Sequence, residues 1–337
     1  MTLTDSMKLI KFAIEKETVP GTPGTVPDEY VYLINDETIK VNRTFDTMKP
    51  SSQRDLVLSA PLGYSTSIRP QIWALPSSNG FGHFLTGAIG SDVSGQQGGT
   101  TAYLHTISLS DTILNSYTLW SKAGIFEKKS TYNQVNRLTI NSPQNKELTC
   151  TAEFVGGKVV SGGSDFGAAS YSVLDPFKSS MGVLVFGGGS DKVRSNLTEF
   201  NLVIDNGIRP EEGLVHGKYY PSNIIAGNRT ITGDLTFWME DDIENQRFWD
   251  GLTAPTATEP GDTPALIPLQ AEFIGSQIAS TGYYYTLDLV MDMIQLNNFD
   301  YVTTGNRIAG KASFTAVKGS GTNLLKAYLT NARSAAY

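Results

Sequence analysis

Three histidines, one cysteine and one acidic run are the residues whose types could support catalysis or metal binding. His83, His105 and His216 fall in no HExxH pattern and in no His/Cys ligand spacing, so they read as structural or surface residues. Cys150 alternates with Leu148, Ala152 and Phe154 and reads as core filler, and a single cysteine excludes an internal disulfide framework. No G-x-S-x-G elbow is present. Gly187-Gly188-Gly189-Ser190 is not followed by Gly-Lys-Ser/Thr and reads as a hairpin turn, and Gly310-Lys311-Ala312-Ser313 lacks the glycines of a phosphate loop. The run Glu240-Asp241-Asp242, with Glu244, is the best candidate for a cation site. It directly precedes a helical stripe, however, where carboxylates complement the positive end of the helix dipole, so it reads as a cap. The sequons Asn42-Arg43-Thr44, Asn196-Leu197-Thr198 and Asn228-Arg229-Thr230 read as polar strand and turn residues. The sequence thus assigns no catalytic residue, no cofactor-binding residue and no metal ligand, and the expectation is a protein that is not an enzyme.

The elements around these residues are mostly strands. In LTEFNLVID, Phe200, Leu202 and Ile204 share one face, opposite Glu199, Asn201 and Val203. In ELTCTAEF, Leu148, Cys150, Ala152 and Phe154 oppose Glu147, Thr149, Thr151 and Glu153. YTLDLVMDM sets Tyr285, Leu287, Leu289, Met291 and Met293 against Thr286, Asp288 and Asp292. Such alternation predicts half-buried antiparallel strands, because a sheet buried on both faces reads as continuous apolar runs. Two helical stripes interrupt it, at Phe81, Phe84, Leu85 and Ala88 and at Asn245, Phe248, Trp249 and Leu252. Pro76-Ser77-Ser78-Asn79 supplies capping residues for the first. A further short helix is expected at Asn323–Leu329.

The chain has 337 residues and a net charge of −7, with 40% hydrophobic residues, 15 Tyr and 15 Phe, which suits two β-rich domains. The acidic balance opposes gripping nucleic acid. No basic n-region with an apolar h-region opens the chain and no apolar run is long enough to span a membrane, so folding in a cytoplasm is expected.

The second half echoes the first at a nearly constant offset of about 165 residues. TFDTMKP, Thr44 to Pro50, matches IDNGIRP, Ile204 to Pro210. Ile68 and Ile72 match Ile231 and Leu235, and FLTGAIG matches FWDGLTA. Tyr117-Thr118-Leu119 matches Tyr285-Thr286-Leu287, and Thr151-Ala152 matches Thr315-Ala316. The Gly/Ser-rich stretch from Gly156 to Ser170 reads as a connector. The expectation is a mainly β protein of two similar antiparallel β-sandwich or barrel domains, each with one short flanking helix. They are residues 1–160 with an extended N-terminal arm, a connector at 161–176, and 177–337, related by internal duplication.

Three stretches resemble a known family: EKETVPGTPGTVPDEYVYL (Glu15 to Leu33), FLTGAIG with YLHTISLSD (Tyr103 to Asp111), and EFNLVIDNGIRPEEGLVHGKYYPSNIIAGNRTITGDLTFWMED (Glu199 to Asp242). Their order is similar to that of double-domain tail tube (major tail) proteins of long-tailed bacteriophages. That resemblance implies a structural virion protein, made in the host cytoplasm, whose rings stack into the hollow conduit for DNA ejection. Three duplicated chains would make a pseudo-sixfold ring. The implied partners are further copies of the chain, tail terminator and tail tip or initiator proteins, the tape measure protein in the lumen, and DNA in transit without specific binding. No membrane is implied. Asp288 and Asp292 are then candidate lumen-facing acids, and the N-terminal arm and the loop Glu211–Gly227 are long enough to reach a neighbouring ring. The alternative from the residues alone is a β-sandwich carbohydrate- or receptor-binding fibre or decoration protein, with Trp73, Trp120 or Tyr283–Tyr285 stacking on sugars.

Overall fold

The computed structural model describes residues 10–48, 58–77, 80–110, 114–161, 166–171, 174–186, 197–239, 266–304, 306–318 and 324–337. The first half contributes β1 (Ile10–Lys16), β2 (Glu29–Val31), β3 (Lys40–Met48), β4 (Leu58–Ile68), β5 (Gln71–Trp73), α1 (Phe81–Ile89), β6 (Gly90–Gln96), β7 (Tyr103–Leu109), β8 (Tyr117–Ala123), β9 (Phe126–Ser142), β10 (Thr149–Gly156) and β11 (Val159–Ser161). The second contributes β12 (Gly182–Phe186), β13 (Leu197–Asp205), β14 (Thr230–Trp238), β15 (Leu266–Gln277), β16 (Tyr284–Thr304), β17 (Arg307–Ala316) and β18 (Lys326–Asn331). Every strand pairing among them is antiparallel.

Pairing sorts these strands into two layers over one core. One layer runs β3–β4/β5–β10–β9–β13–β14–β17–β16. The other holds β2–β1–β8–β9–β11 in the first half and β12–β15–β16–β18–β7–β6 across the second. The long strands β9 and β16 serve both layers, with one end in each. Aromatic contacts bridge the layers: Phe154 of β10 meets Tyr117 of β8, and Phe200 of β13 meets Phe273 of β15. The alternating apolar residues read from the sequence fill this space, with Cys150, Ala152, Phe200, Leu202, Leu287 and Leu289 all fully buried. Burying each of these Phe and Leu side chains contributes roughly 1.5–3 kcal/mol.

The two halves share one pairing scheme among the described residues. Strands β1–β8, β3–β4, β4/β5–β10, β8–β9, β9–β10 and β9–β11 pair in the first. Strands β12–β15, β13–β14, β14–β17, β15–β16, β16–β17 and β16–β18 pair the same way in the second. Thr151-Ala152 and Thr315-Ala316 lie on matching strands, β10 and β17. Tyr117-Thr118-Leu119 and Tyr285-Thr286-Leu287 do not, because the pairing partner-for-partner counterpart of β8 is β15. That triplet match is therefore not a structural equivalence.

Helix α1 forms where the sequence expects one, but it is buried on every side. Its apolar stripe meets the core, and small residues on the other side let neighbours approach. A Cβ on Gly82 would lie 2.2 Å from the Tyr337 phenol, and one on Gly87 would lie 2.7 Å from Val135. Gly80 is the N-cap, at φ 72°, with no side-chain cap bond, and its N–H donates to Glu29 Oε2, while Ser78 and Asn79 of the expected cap lie outside the described residues. Glycine takes this left-handed position at no steric cost.

The helix expected at Asn323–Leu329 is instead β18, with Asn323 outside the described residues. Buried Ala327 and Leu329 alternate with the less buried Lys326 and Tyr328, and β7 and β16 each present an edge whose backbone groups need partners. The stripe at Asn245–Leu252, the acidic run at Glu240–Glu244 and Gly187–Ser190 also lie outside the described residues.

Mid-sheet, Gly233 is required by its neighbours: a Cβ there would lie 2.3 Å from Phe314 Cζ and 2.4 Å from the Asn201 carbonyl oxygen. Gly233→Ala should lower stability by about 1–3 kcal/mol in urea unfolding, since the second neighbour is backbone and cannot rotate away.

Candidate functional site: a polar wall and the junction that continues it

The layer containing β10, β9, β13, β14 and β17 turns its second face away from the core. Thr149 and Thr151 of β10, Thr139 and Asn141 of β9, Glu199 and Asn201 of β13, Asp234 and Thr236 of β14 and Lys311 of β17, with Gln71 of β5, line a shallow hollow of about 400 Å³. Register adds Glu153 and Asp205, which flank Arg137 from the two neighbouring strands. On these five strands the face carries Glu153, Glu199, Asp205 and Asp234 against Arg137, Arg307 and Lys311. It is a hydrated, net-acidic surface of hydroxyls and amides. Phosphate recognition needs clustered cations, and this face does not supply them.

This wall crosses from one half to the other without a break. Strand β13 pairs with β9 from Phe200↔Ser142 to Asp205↔Arg137, so a second-half strand extends a first-half sheet. Where β13 ends, Asp205-Asn206-Gly207 makes a turn that the sequence marks but whose depth it does not reveal. Gly207 has φ 59°, and its N–H donates to Asp205 Oδ1. Asn206 is buried, its Nδ2 donating to the carbonyls of Ala88 at the end of α1 and Val135 of β9. Its Oδ1 accepts from Arg229 Nε, and Arg229 also donates to Ser110 O. Asn136 completes the tie, its main-chain oxygen accepting from Asn206 N–H and its Oδ1 from Ile208 N–H. Each of these bonds runs between halves or closes the turn that makes them.

The segment 206–229 then folds back over the first half. Tyr64 N–H donates to Tyr219 O at 2.7 Å, Tyr132 Oη lies 3.1 Å from Asn223 Oδ1, and Ile224 packs with Leu114, Val155 and Ile208. A recess of about 570 Å³ remains beneath residues 223–229, bordered by Leu114, Tyr132 and Gln134. The stretch Glu15–Leu33 also lies on the first half, through β1, β2 and Glu17. The Glu17 carboxylate accepts from Gly21 N, Thr118 Oγ1 and Tyr132 N.

A second tie is made by residues 331–337. The Tyr337 phenol is buried between His83 and His105 and under the Arg333 guanidinium, and its N–H donates to Asp92. Arg333 bonds Asp28 at 2.8 Å and Glu29 at 2.7 Å. The His83 hydrogen bond, assisted by Arg333, holds the Asp28 carboxyl well below the usual carboxylate range. His105 sits between Asp92 and Asn331, all buried. These two histidines are packed members of the inter-half contact, and His216 is exposed. Among the described residues no group of three or more His, Cys, Asp or Glu could hold a metal ion, and no helix is long and apolar enough to cross a membrane. Burial pushes the Cys150 thiol up, as suits core filler.

Asp288 and Asp292 lie apart from the wall, on the part of β16 that pairs with β15 and β18. Asp288 accepts from Gln270 Nε2 at 2.9 Å and faces Glu272 across the pair. Burial, reinforced by Glu272, raises its pKa to about 6. Of the aromatics considered for sugar stacking, Trp120 is fully buried and Tyr285 nearly so, whereas Trp73 and Tyr284 are exposed on different strands.

A family model described as phage tail tube protein matches residues 8–258, which include the wall strands β10, β9, β13 and β14, the junction turn and the folded-back segment. The chain belongs to the phage tail tube protein family. It is a structural component of the phage tail, and membership implies assembly with further copies of itself. No curated protein matches the sequence.

Two outcomes test the site's energetics. Asn206→Ala strips partners from two buried carbonyls and from Arg229, and should cost roughly 3 kcal/mol in denaturant unfolding. Between the ordinary carboxylate range and about pH 6, folded protein keeps a proton on Asp288 that the unfolded chain has released. Stability contributed there falls as pH rises through that window and stays lower above it. Asp288→Asn should therefore melt like the parent at pH 4 and be more stable at pH 8 by roughly 1 kcal/mol, after allowing for solvent screening.

Proposed function

We propose that three chains close a ring of pseudo-sixfold symmetry and that such rings build the tail tube, with the polar wall as its lumen. The observation that carries this reading is the β9–β13 pairing. In the shared pairing scheme, β16 is the counterpart of β9, and β3 with the extended segment leading into it is the counterpart of β13. Among the described residues β16 beyond residue 295 pairs with β17 and β3 pairs with β4, so the internal junction has no second example within the described part of one chain. Joining β16 of one chain to the β3 side of the next repeats the internal junction between chains. Internal duplication supplies the alternation, and ring closure joins the two lateral edges of the wall.

On this reading Glu199 and Asp234 are lumen-facing acids, and Asp288 and Asp292 belong to the outer layer. A net-acidic wall of hydroxyls and amides repels the DNA backbone and gives it no counterion-releasing contacts, so DNA passes without specific binding. The tube is the ejection conduit of a long, flexible siphovirus tail, assembled in the host cytoplasm around the tape measure protein. Tip or initiator proteins bound it at one end and a tail terminator at the other.

The test combines negative-stain electron microscopy with cysteine pairs, one scanned along residues 34–43 and the other along 295–300. Buried Cys150 gives little background. Expected are hollow rings of three chains, and a subset of pairs that oxidise to a covalently closed trimer. Compact oligomers without a hollow centre, or rings in which no pair cross-links, would refute the proposed junction.

A further inference from the structure

Among the exposed apolar side chains of the protein, one group stands at each end of the wall. Antiparallel register places the β3–β4 hairpin and the segment 206–229 at one end, because Asp205↔Thr230 and Met48↔Leu58 both close there. The β16–β17 hairpin closes at the opposite end, at Thr304↔Arg307, past the last β14 residue, Trp238, paired to β17 at Ala309. At the first end Phe45 and Leu62 are 50% and 56% exposed and Tyr219 is 64% exposed. Hairpin and segment form one surface there, joined by the Tyr64–Tyr219 bond and by Leu214, whose methyls come within 3.3 Å of a Cβ position on Gly63. The recess under 223–229 opens beside it. At the other end Tyr301, Val302 and Ile308 are 54%, 42% and 54% exposed on a hairpin that projects beyond the sheet.

Single exposed hydrophobics are ordinary, but two such groups at opposite poles of one sheet are complementary in position as well as in chemistry. From them we infer that the β16–β17 hairpin of one copy packs on the surface built by the β3–β4 hairpin and residues 206–229 of a copy in the adjoining ring. The inference rests on the ring reading above, in which the lateral edges are used within the ring and the ends of the wall face the next one. The contact joins unlike patches of identical chains, so it cannot close on itself and instead propagates along one axis. Its occupant is therefore a second copy of this chain.

The test is the double variant Tyr301→Asp/Ile308→Asp in the full chain, followed by light scattering and electron microscopy. Trimeric rings should persist, while the protein concentration needed for rods rises about tenfold or more, since losing one good apolar contact per copy is enough for that. Rods as abundant as those of the parent would overturn the inference and leave the ring intact. Loss of rings from a variant whose circular dichroism and melting are unchanged would also overturn it, because the hairpin would then serve the lateral contact. No rings from the parent would overturn the ring reading and this inference with it. If the double variant does not fold, Phe45→Ser/Leu62→Ser tests the other pole with the same readouts. The pair Leu62→Cys/Ile308→Cys should, on oxidation of rods, link chains into species larger than a trimer, and an oxidised product that stops at single chains or trimers would count against the contact.

Discussion

A β-strand in the body of a sheet has two edges, and the amide and carbonyl groups along each must be bonded to something. In this protein that constraint is met between halves by the ladder from Phe200↔Ser142 to Asp205↔Arg137, and the rest of the structure is arranged to hold the ladder in register. Asn206 fixes one end of it by reaching the last turn of α1 and the neighbouring β9 strand. Strand β18 fixes the second layer by pairing with β7 of the first half and β16 of the second. Because side chains alternate, a slip of one residue at the ladder would turn Ile204 and Leu202 to water and Val203 to the core, so burial reinforces the backbone pairing.

The two faces of the wall divide the work. One face is sealed by fully buried residues such as Ile140, Leu202 and Leu235 and gives the protein its stability. The other spends little of its chemistry on internal contacts and keeps hydroxyls, amides and a modest excess of acids in water. On the proposed ring reading this face lines the path of a polyanion, which calls for low affinity everywhere rather than high affinity somewhere, and this composition meets that need without any specialised residue. That is why a search for motifs finds so little here: the functional unit is a periodicity.

Much of that periodicity was legible. The alternation in LTEFNLVID and ELTCTAEF named both the core residues of β13 and β10 and the residues of the polar face, because a two-residue period is a local property. Where local reading failed, the cause was tertiary. The same rule applied to YTLDLVMDM sets Asp288 and Asp292 opposite buried Leu287, Leu289 and Met291, but β16 passes from one layer to the other, and the alternation alone does not say in which layer that part of the strand lies. Residues 326–329 carry a pattern short enough to suit either a helix or a strand, and the waiting edges of β7 and β16 decide it. Asn206 looked like an ordinary turn residue, since nothing in an Asp-Asn-Gly triplet says that the middle side chain will be buried.

The strap at 331–337 also has a kinetic consequence. Its bonds span most of the chain, with Tyr337 reaching Lys16 and Asp92 and Arg333 reaching Asp28. Closing such long loops costs entropy that only the finished contact offsets, so these contacts form late in folding. A nascent chain leaving the ribosome has α1 and β7 well before it has the phenol that packs against Gly82 and His105. The contacts that hold α1 and β7 against this strap are thus among the longest-range closures in the fold, and they are made only once residues far down the chain are in place.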